Sequence, residues 1–162
     1  MLSHIPRRAD KEHQIFNHPL GEVPVYLVGS RALKVSRPKF PQFLQGQPLF
    51  LPSHQSHVRG DFDSLLAPAA VEPDVRAEVD DMALLRLLAL SGRGLALVSK
   101  IVVERELQSR PIKFMFRVPG LVEKYFALTV RKRFEEAWIG EIVAAFRARL
   151  RELAAMPERP AP

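Results

Sequence analysis

Hydrophobic and polar positions fall into regular periods in two stretches, Asp74 to Arg110 and Gly120 to Met156, and neither contains a proline. In the first, VRAEV (Val75 to Val79) alternates apolar and polar and predicts a short strand. Asp80 and Asp81 follow where a helix should begin. A carboxylate there accepts free first-turn N–H groups and favours the positive end of the helix dipole. Met82 to Leu90 is apolar nearly all round, broken chiefly by Arg86, which predicts a largely buried helix. Ser91 and Gly92 end it, with Gly92 suited to the left-handed position. LALV (Leu95 to Val98) is too short for a helix and predicts a buried strand, after which Ser99 caps a second helix through Gln108. IKFMF (Ile112 to Phe116) alternates again and predicts another strand.

The second stretch opens on EKYFALTVRK, whose core Tyr125 to Val130 predicts a strand. From Glu135 to Ala154 the residues Trp138, Ile139, Ile142, Val143, Phe146, Leu150 and Leu153 recur with a period near ~3.6. That is an amphipathic helix made for core packing, since its polar face mixes acids with arginines rather than matching a membrane surface. Upstream, VPVYLV (Val23 to Val28) and PLFLP (Pro48 to Pro52) predict strands, and SHQSHVRGDFDSLL is a polar turn running into a helix. Strands alternating with helices predict an α/β class with crossovers and a largely parallel sheet. MPERPAP reads as a frayed tail, and no internal repeat is present.

The pair Gly92 and Gly94 invites a phosphate-binding reading, but such glycines sit where a strand passes into a helix. Here the order is helix, glycines, strand, with no third glycine and no Lys-Ser/Thr, so they punctuate a turn. Composition narrows the picture further. With 162 residues, 47% hydrophobic and 26% charged, the chain supports a globular core. No run approaches the ~18 apolar residues of a membrane span, and the N-terminus lacks the apolar core of an export signal, so a cytoplasmic location is expected. The absence of cysteine excludes disulfide and thiol chemistry. The net charge of +6 is unevenly spread: residues 1–60 carry 8 basic and 3 acidic side chains, 61–106 carry 5 and 9, and 107–162 carry 11 and 6. Only RKR (131–133) and RARLR (147–151) cluster cations, which suits solvated faces better than a DNA-reading element.

With this order assembled, DDMALLRLLALSGRGLALVSKIVVEREL resembles the signature of the effector-binding domain of LysR-type transcriptional regulators. FNHPLGEVPVYLV, PLFLPSHQSHVRGDFDSLL and EKYFALTVRK are similar in particular to the NhaR-like branch, the sodium/proton-antiporter activators. The resemblance runs from about Leu2 to Leu153. It implies a two-lobed, periplasmic-binding-protein-like (type 2) regulatory domain with an effector between lobes joined by two crossing strands. On that mapping residues 1–20 are a remnant of lobe I, 21–36 a crossing strand, 37–123 lobe II, and 124–162 the returning strand, a lobe I helix and the tail. The first lobe is then incomplete, and the winged helix-turn-helix has no counterpart, so the resemblance implies an N-terminally truncated regulator. Its exposed Trp138 face would favour a homo-oligomer.

Ligands of open α/β folds gather at the carboxyl ends of parallel strands, beside helix N-termini. Two such places are visible: Ser53 to His57, offering the Ser53 and Ser56 hydroxyls, and Glu78 to Met82, offering Glu78, Asp80, Asp81 and Met82. The resemblance adds Ser3 and His4 from the first-lobe strand, where members of the branch often show an acid in place of His4. A hard cation would prefer the oxygens of Asp80, Asp81 and Ser53. His54 and His57, with His13 and His18, are the candidate zinc ligands, though turn histidines are usually solvated. No metal or cofactor is expected. Catalysis finds no nucleophile elbow and no metal-protease spacing, and Asp61 and Asp63 flank Phe62 on different helix faces, so no enzyme is expected. The expected function is effector sensing by lobe movement in a transcription regulator, with a small-molecule or ion effector and DNA reached only through a separate domain. A free-standing small-solute-binding protein is the alternative.

Overall fold

The computed structural model describes residues 2–3, 15–35, 39–109, 111–130 and 137–155. Outside them lie His4 and His13, the RKR cluster at 131–133, Glu135, where the last helix was expected to begin, and the MPERPAP tail. In chain order the elements are β1 (Leu2–Ser3), β2 (Ile15–Ser30), β3 (Pro48–Pro52), α1 (His57–Leu66), β4 (Asp74–Val79), α2 (Met82–Leu90), β5 (Leu95–Ser99), α3 (Glu104–Ser109), β6 (Ile112–Val130) and α4 (Ala137–Ala155). Short 3-10 turns occupy Gln42–Leu44, Ala67–Ala69 and Lys100–Val103. Two compact units result, one of Pro24 to Val122 and a smaller one of the described residues up to Val23 and from Glu123 to Ala155. The long strands β2 and β6 contribute to both.

The larger unit is a sheet with helices on both faces. β3 runs parallel to β4 from Pro48↔Asp74 to Pro52↔Val79, with one register shift between Leu49 and Phe50. It runs parallel to β5 at Leu49↔Leu95 and Phe50↔Ala96. β2, however, pairs antiparallel with β5 from Val25↔Ser99 to Val28↔Ala96, and β6 lies on the other side of β2. The sheet is therefore mixed, and the expected parallel arrangement holds only for β4, β3 and β5. The reason is in the connections: β3, β4 and β5 are linked through α1 and α2, and helical crossovers return a strand in the same direction. Among the described residues of the link from β2 to β3 there is no such helix, only the turn at Gln42–Leu44.

Alternation along the strands sorts the side chains into two cores. Val25, Leu27, Leu49, Leu51, Leu95 and Leu97 face one way and pack with Val58, Phe62 and Leu66 of α1. Tyr26, Val28, Phe50, Ala96 and Val98 face the other way and pack with Leu85 and Ala89 of α2. All five residues of β5 are buried, as befits a strand covered on both faces. The turn glycines have separate reasons. Gly92 adopts φ +72°, the left-handed conformation that ends α2, whereas a Cβ on Gly94 would stand 2.6 Å from the Pro48 carbonyl oxygen.

Three local expectations are corrected. The α2 helix is not largely buried: Leu85 and Ala89 are, but Leu84 and Leu87 are 46% and 55% exposed. Arg86, which breaks its apolar run, pairs with Glu106 of α3. The helix after Ser99 starts as a 3-10 turn and becomes α-helical only at Glu104, and the Ser99 side chain does not cap it. The separate strands expected at Ile112 to Phe116 and Tyr125 to Val130 are one strand, β6, carried through Pro119 by Gly120 at φ +70°.

In the smaller unit β1 pairs antiparallel with β6 at Leu2↔Ala127 and Ser3↔Phe126. His18 Nε2 lies 2.8 Å from Thr129 Oγ1. Leu150 and Leu153 of α4 are buried, and Arg147 Nε donates to the Pro19 carbonyl at 2.9 Å. Trp138 and Ile142, from the same expected apolar stripe, remain 54% and 51% exposed.

Candidate functional site

Parallel pairing puts the carboxyl ends of β3, β4 and β5 at one edge of the larger unit. The Ser53 N–H donates to the Val79 carbonyl at 3.2 Å, so the loop after β3 is tied directly to the loop after β4. Ser56 closes the first loop by donating its N–H to the Ser53 carbonyl at 3.0 Å, and it occupies the N-cap of α1 without engaging its hydroxyl in the cap. Asp81 caps α2: its Oδ1 accepts from the Ala83 N–H at 2.7 Å. Asp80 beside it is exposed, and Met82 is half-buried against the core that holds Leu85. Ser53, Ser56, Asp80, Asp81 and Met82 thus come to one edge of one unit. Ser3 belongs to the smaller unit on β1, and His4 lies outside the described residues.

Glu78 has partners the sequence reading did not foresee. Its Oε1 accepts from Arg59 Nη1 at 3.0 Å and lies 3.1 Å from His54 Nε2. The Arg59 Nη1 also donates to the Pro52 carbonyl at 3.2 Å, and its Nε donates to both Asp63 oxygens, at 2.8 and 3.0 Å. Arg59 is only 6% exposed, so its charge is satisfied almost entirely by protein oxygens. His54 is exposed, with Nδ1 3.9 Å from Asp63. A carboxylate is therefore within reach of His54 after all, but among the described residues no group of three His, Asp or Glu side chains is arranged to hold a metal.

Arg59 is the residue that sequence reasoning missed here, whereas His54 was weighed only as a zinc ligand and Asp63 only as half of a carboxylate pair with Asp61. A signal existed: Arg59 shares the buried stripe of α1 with Phe62 and Leu66, three and seven residues on, and a cation on a buried stripe needs carboxylates. Ser99 and Lys100 also end at this edge. Both are buried, and the Lys100 ammonium stands 5.8 Å over the Phe114 ring. No helix among the described residues is long and apolar enough to cross a membrane.

Comparison with solved structures places this architecture. The full-length HypT of Salmonella typhimurium, a hypochlorite-specific LysR-type transcriptional regulator, is matched with TM-score 0.57 and 20% identity over 87% of this chain. This chain spans 47% of that protein. The CcmR regulatory domain of Synechocystis PCC6803, solved with 2-PG, gives TM-score 0.62 and 13% identity, covering 95% of this chain and 72% of that one. The effector-binding domain of QuiR with shikimate gives 0.59 and 17%, covering 83% and 64%. Identities this low speak for the fold alone. A search of curated proteins found no match. The LysR substrate binding domain family matches residues 4–155, nearly the whole length, and with the mixed α/β sheet described above the chain belongs to that family.

Proposed function

We propose that this chain is the effector-sensing part of a LysR-type transcriptional regulator of the NhaR-like branch, acting in the cytoplasm. A small molecule or ion bound at the carboxyl-end edge shifts lobe geometry, and in the intact regulator that shift alters DNA engagement through a separate domain. The family match over residues 4–155 carries this reading. Two neighbouring folds support it, since CcmR and QuiR were solved with 2-PG and shikimate. Ser53, Ser56, Asp80, Asp81 and Met82 supply hydroxyls, carboxylates and an apolar wall for a small polar ligand. Ser3 and His4 are the proposed contribution of lobe I. Glu78 serves through its pairing with Arg59. A sheet-edge position of β4 with exposed Val75, together with Leu84 and Leu87 on α2, supports assembly with a second copy.

The test is a titration followed on backbone amides, with a panel of small organic acids that includes 2-PG and shikimate, amino acids and inorganic cations. Binding should move the Ser53, Ser56 and Asp81 amides, and Ser53→Ala with Asp81→Ala should weaken it about tenfold or more, since a single lost charged hydrogen bond is worth at least that. A panel that leaves all three amides unmoved rejects the reading.

A further inference from the structure

Glu78 was expected to meet the effector, yet it is occupied by a buried arginine, and the arginine holds more than Glu78. Its guanidinium reaches the Pro52 carbonyl at the end of β3, Glu78 near the end of β4, and Asp63 two turns into α1. These are three separate pieces of chain, and two of them lead directly into the loops that carry Ser53, Ser56, Asp80 and Asp81. From these contacts we infer that Arg59 is the positioning residue of the candidate site. It joins the two strand ends and the helix into one preformed edge, so that the serine hydroxyls and the Asp81 cap keep a fixed spacing before a ligand arrives.

The chemistry requires an arginine. A planar guanidinium presents several N–H groups in fixed directions, so one side chain can donate to a carbonyl and two carboxylates at once. A lysine ammonium supplies the same charge from one atom and cannot span the 3.0 Å contact to Glu78, the 3.2 Å contact to Pro52 and both Asp63 oxygens together. Burial adds weight, because at 6% exposure water cannot replace a lost partner on the arginine itself. Glu78 and Asp63 are partly exposed, which lets their outer sides remain solvated while Arg59 holds the inner ones. His54, exposed on the Glu78 carboxylate, is the outer member of the network. An edge held in this way spares the ligand the entropy of ordering two loops.

This inference rests on the proposed effector site, and its test separates the two. Amide hydrogen exchange is measured on the full chain as wild type, Arg59→Lys, Arg59→Met and Glu78→Ala. In all three variants the Ser53 and Ser56 amides should exchange about tenfold faster or more through local opening, while Leu97 in β5 and Ala83 at the α2 cap stay unchanged. Arg59→Lys is decisive: a residue that supplied only charge or bulk would be rescued by lysine, and restored protection overturns the inference. Equal acceleration at Leu97, the mark of a general loss of stability, also overturns it. Titrating wild type and Arg59→Lys with 2-PG and with shikimate as probes should show about tenfold weaker binding in the variant, and equal binding overturns the positioning role. If neither probe moves the wild-type amides while exchange responds as stated, the ordering by Arg59 stands and the effector reading loses its support.

Discussion

The helices α1 and α2 occupy equivalent places, each following a parallel strand and each covering one face of the same sheet, yet they use their side chains in opposite ways. By composition α1, HVRGDFDSLL, is the polar one and α2, MALLRLLAL, the apolar one. In the structure α1 buries Val58, Phe62 and Leu66 and draws a charged arginine in with them. The apolar helix buries Leu85 and Ala89 but leaves Leu84 and Leu87 to solvent. A single helix laid on a sheet can hide only the stripe that faces it, whatever stands on the rest of its circumference. The polar helix accepts a cation because carboxylates from two elements meet it there. The apolar helix has leucines to spare, and these are available to another molecule.

Substitutions that separate buried from exposed apolar positions sharpen that contrast most. Phe62→Ala in α1 should cost about 3–5 kcal/mol in urea unfolding, the usual loss for emptying a fully buried aromatic site. A cost under about 1 kcal/mol would mean that the α1 face is less tightly packed than described. A smaller effect is expected at the helix start. Asp81→Ala removes the oxygen that accepts from the Ala83 N–H and should cost about 1 kcal/mol, whereas Ser56→Ala, whose hydroxyl does not cap α1, should cost little. Equal losses at the two caps would contradict the difference. The smallest change in monomer stability belongs to Leu84→Glu with Leu87→Glu, within about 0.5 kcal/mol each. That pair should instead abolish concentration-dependent self-association in sedimentation velocity, and a large loss of stability would show that these leucines are covered within one chain.

Much of the larger unit was legible before the fold was seen, because local chemistry decides it. The limits of α2, its cap at Asp81, the left-handed Gly92 and the strands at Pro48–Pro52 and Leu95–Ser99 all follow from spacing and turn residues within a few positions. So does the grouping of Ser53, Ser56, Asp80 and Asp81, which needs only that β3 and β4 be parallel neighbours joined through a helix. The single strand β6 was harder, since Pro119 and Gly120 read as a break until pairing partners extend the strand through them.

What the amino-acid order determined by itself, then, is most of the elements and the α/β class they belong to, since period, caps and turn glycines act over one or two turns of chain. Only the tertiary structure decided the direction of β2, the exposure of the α2 leucines and the partners of Glu78. Each of these depends on a neighbour remote in sequence: β5 lies some seventy residues beyond β2, and Arg59 and Glu78 are 19 residues apart. A periodic pattern states that a face is apolar or that a charge needs a partner. Which surface or which ion answers is settled when the chain closes on itself and water is excluded.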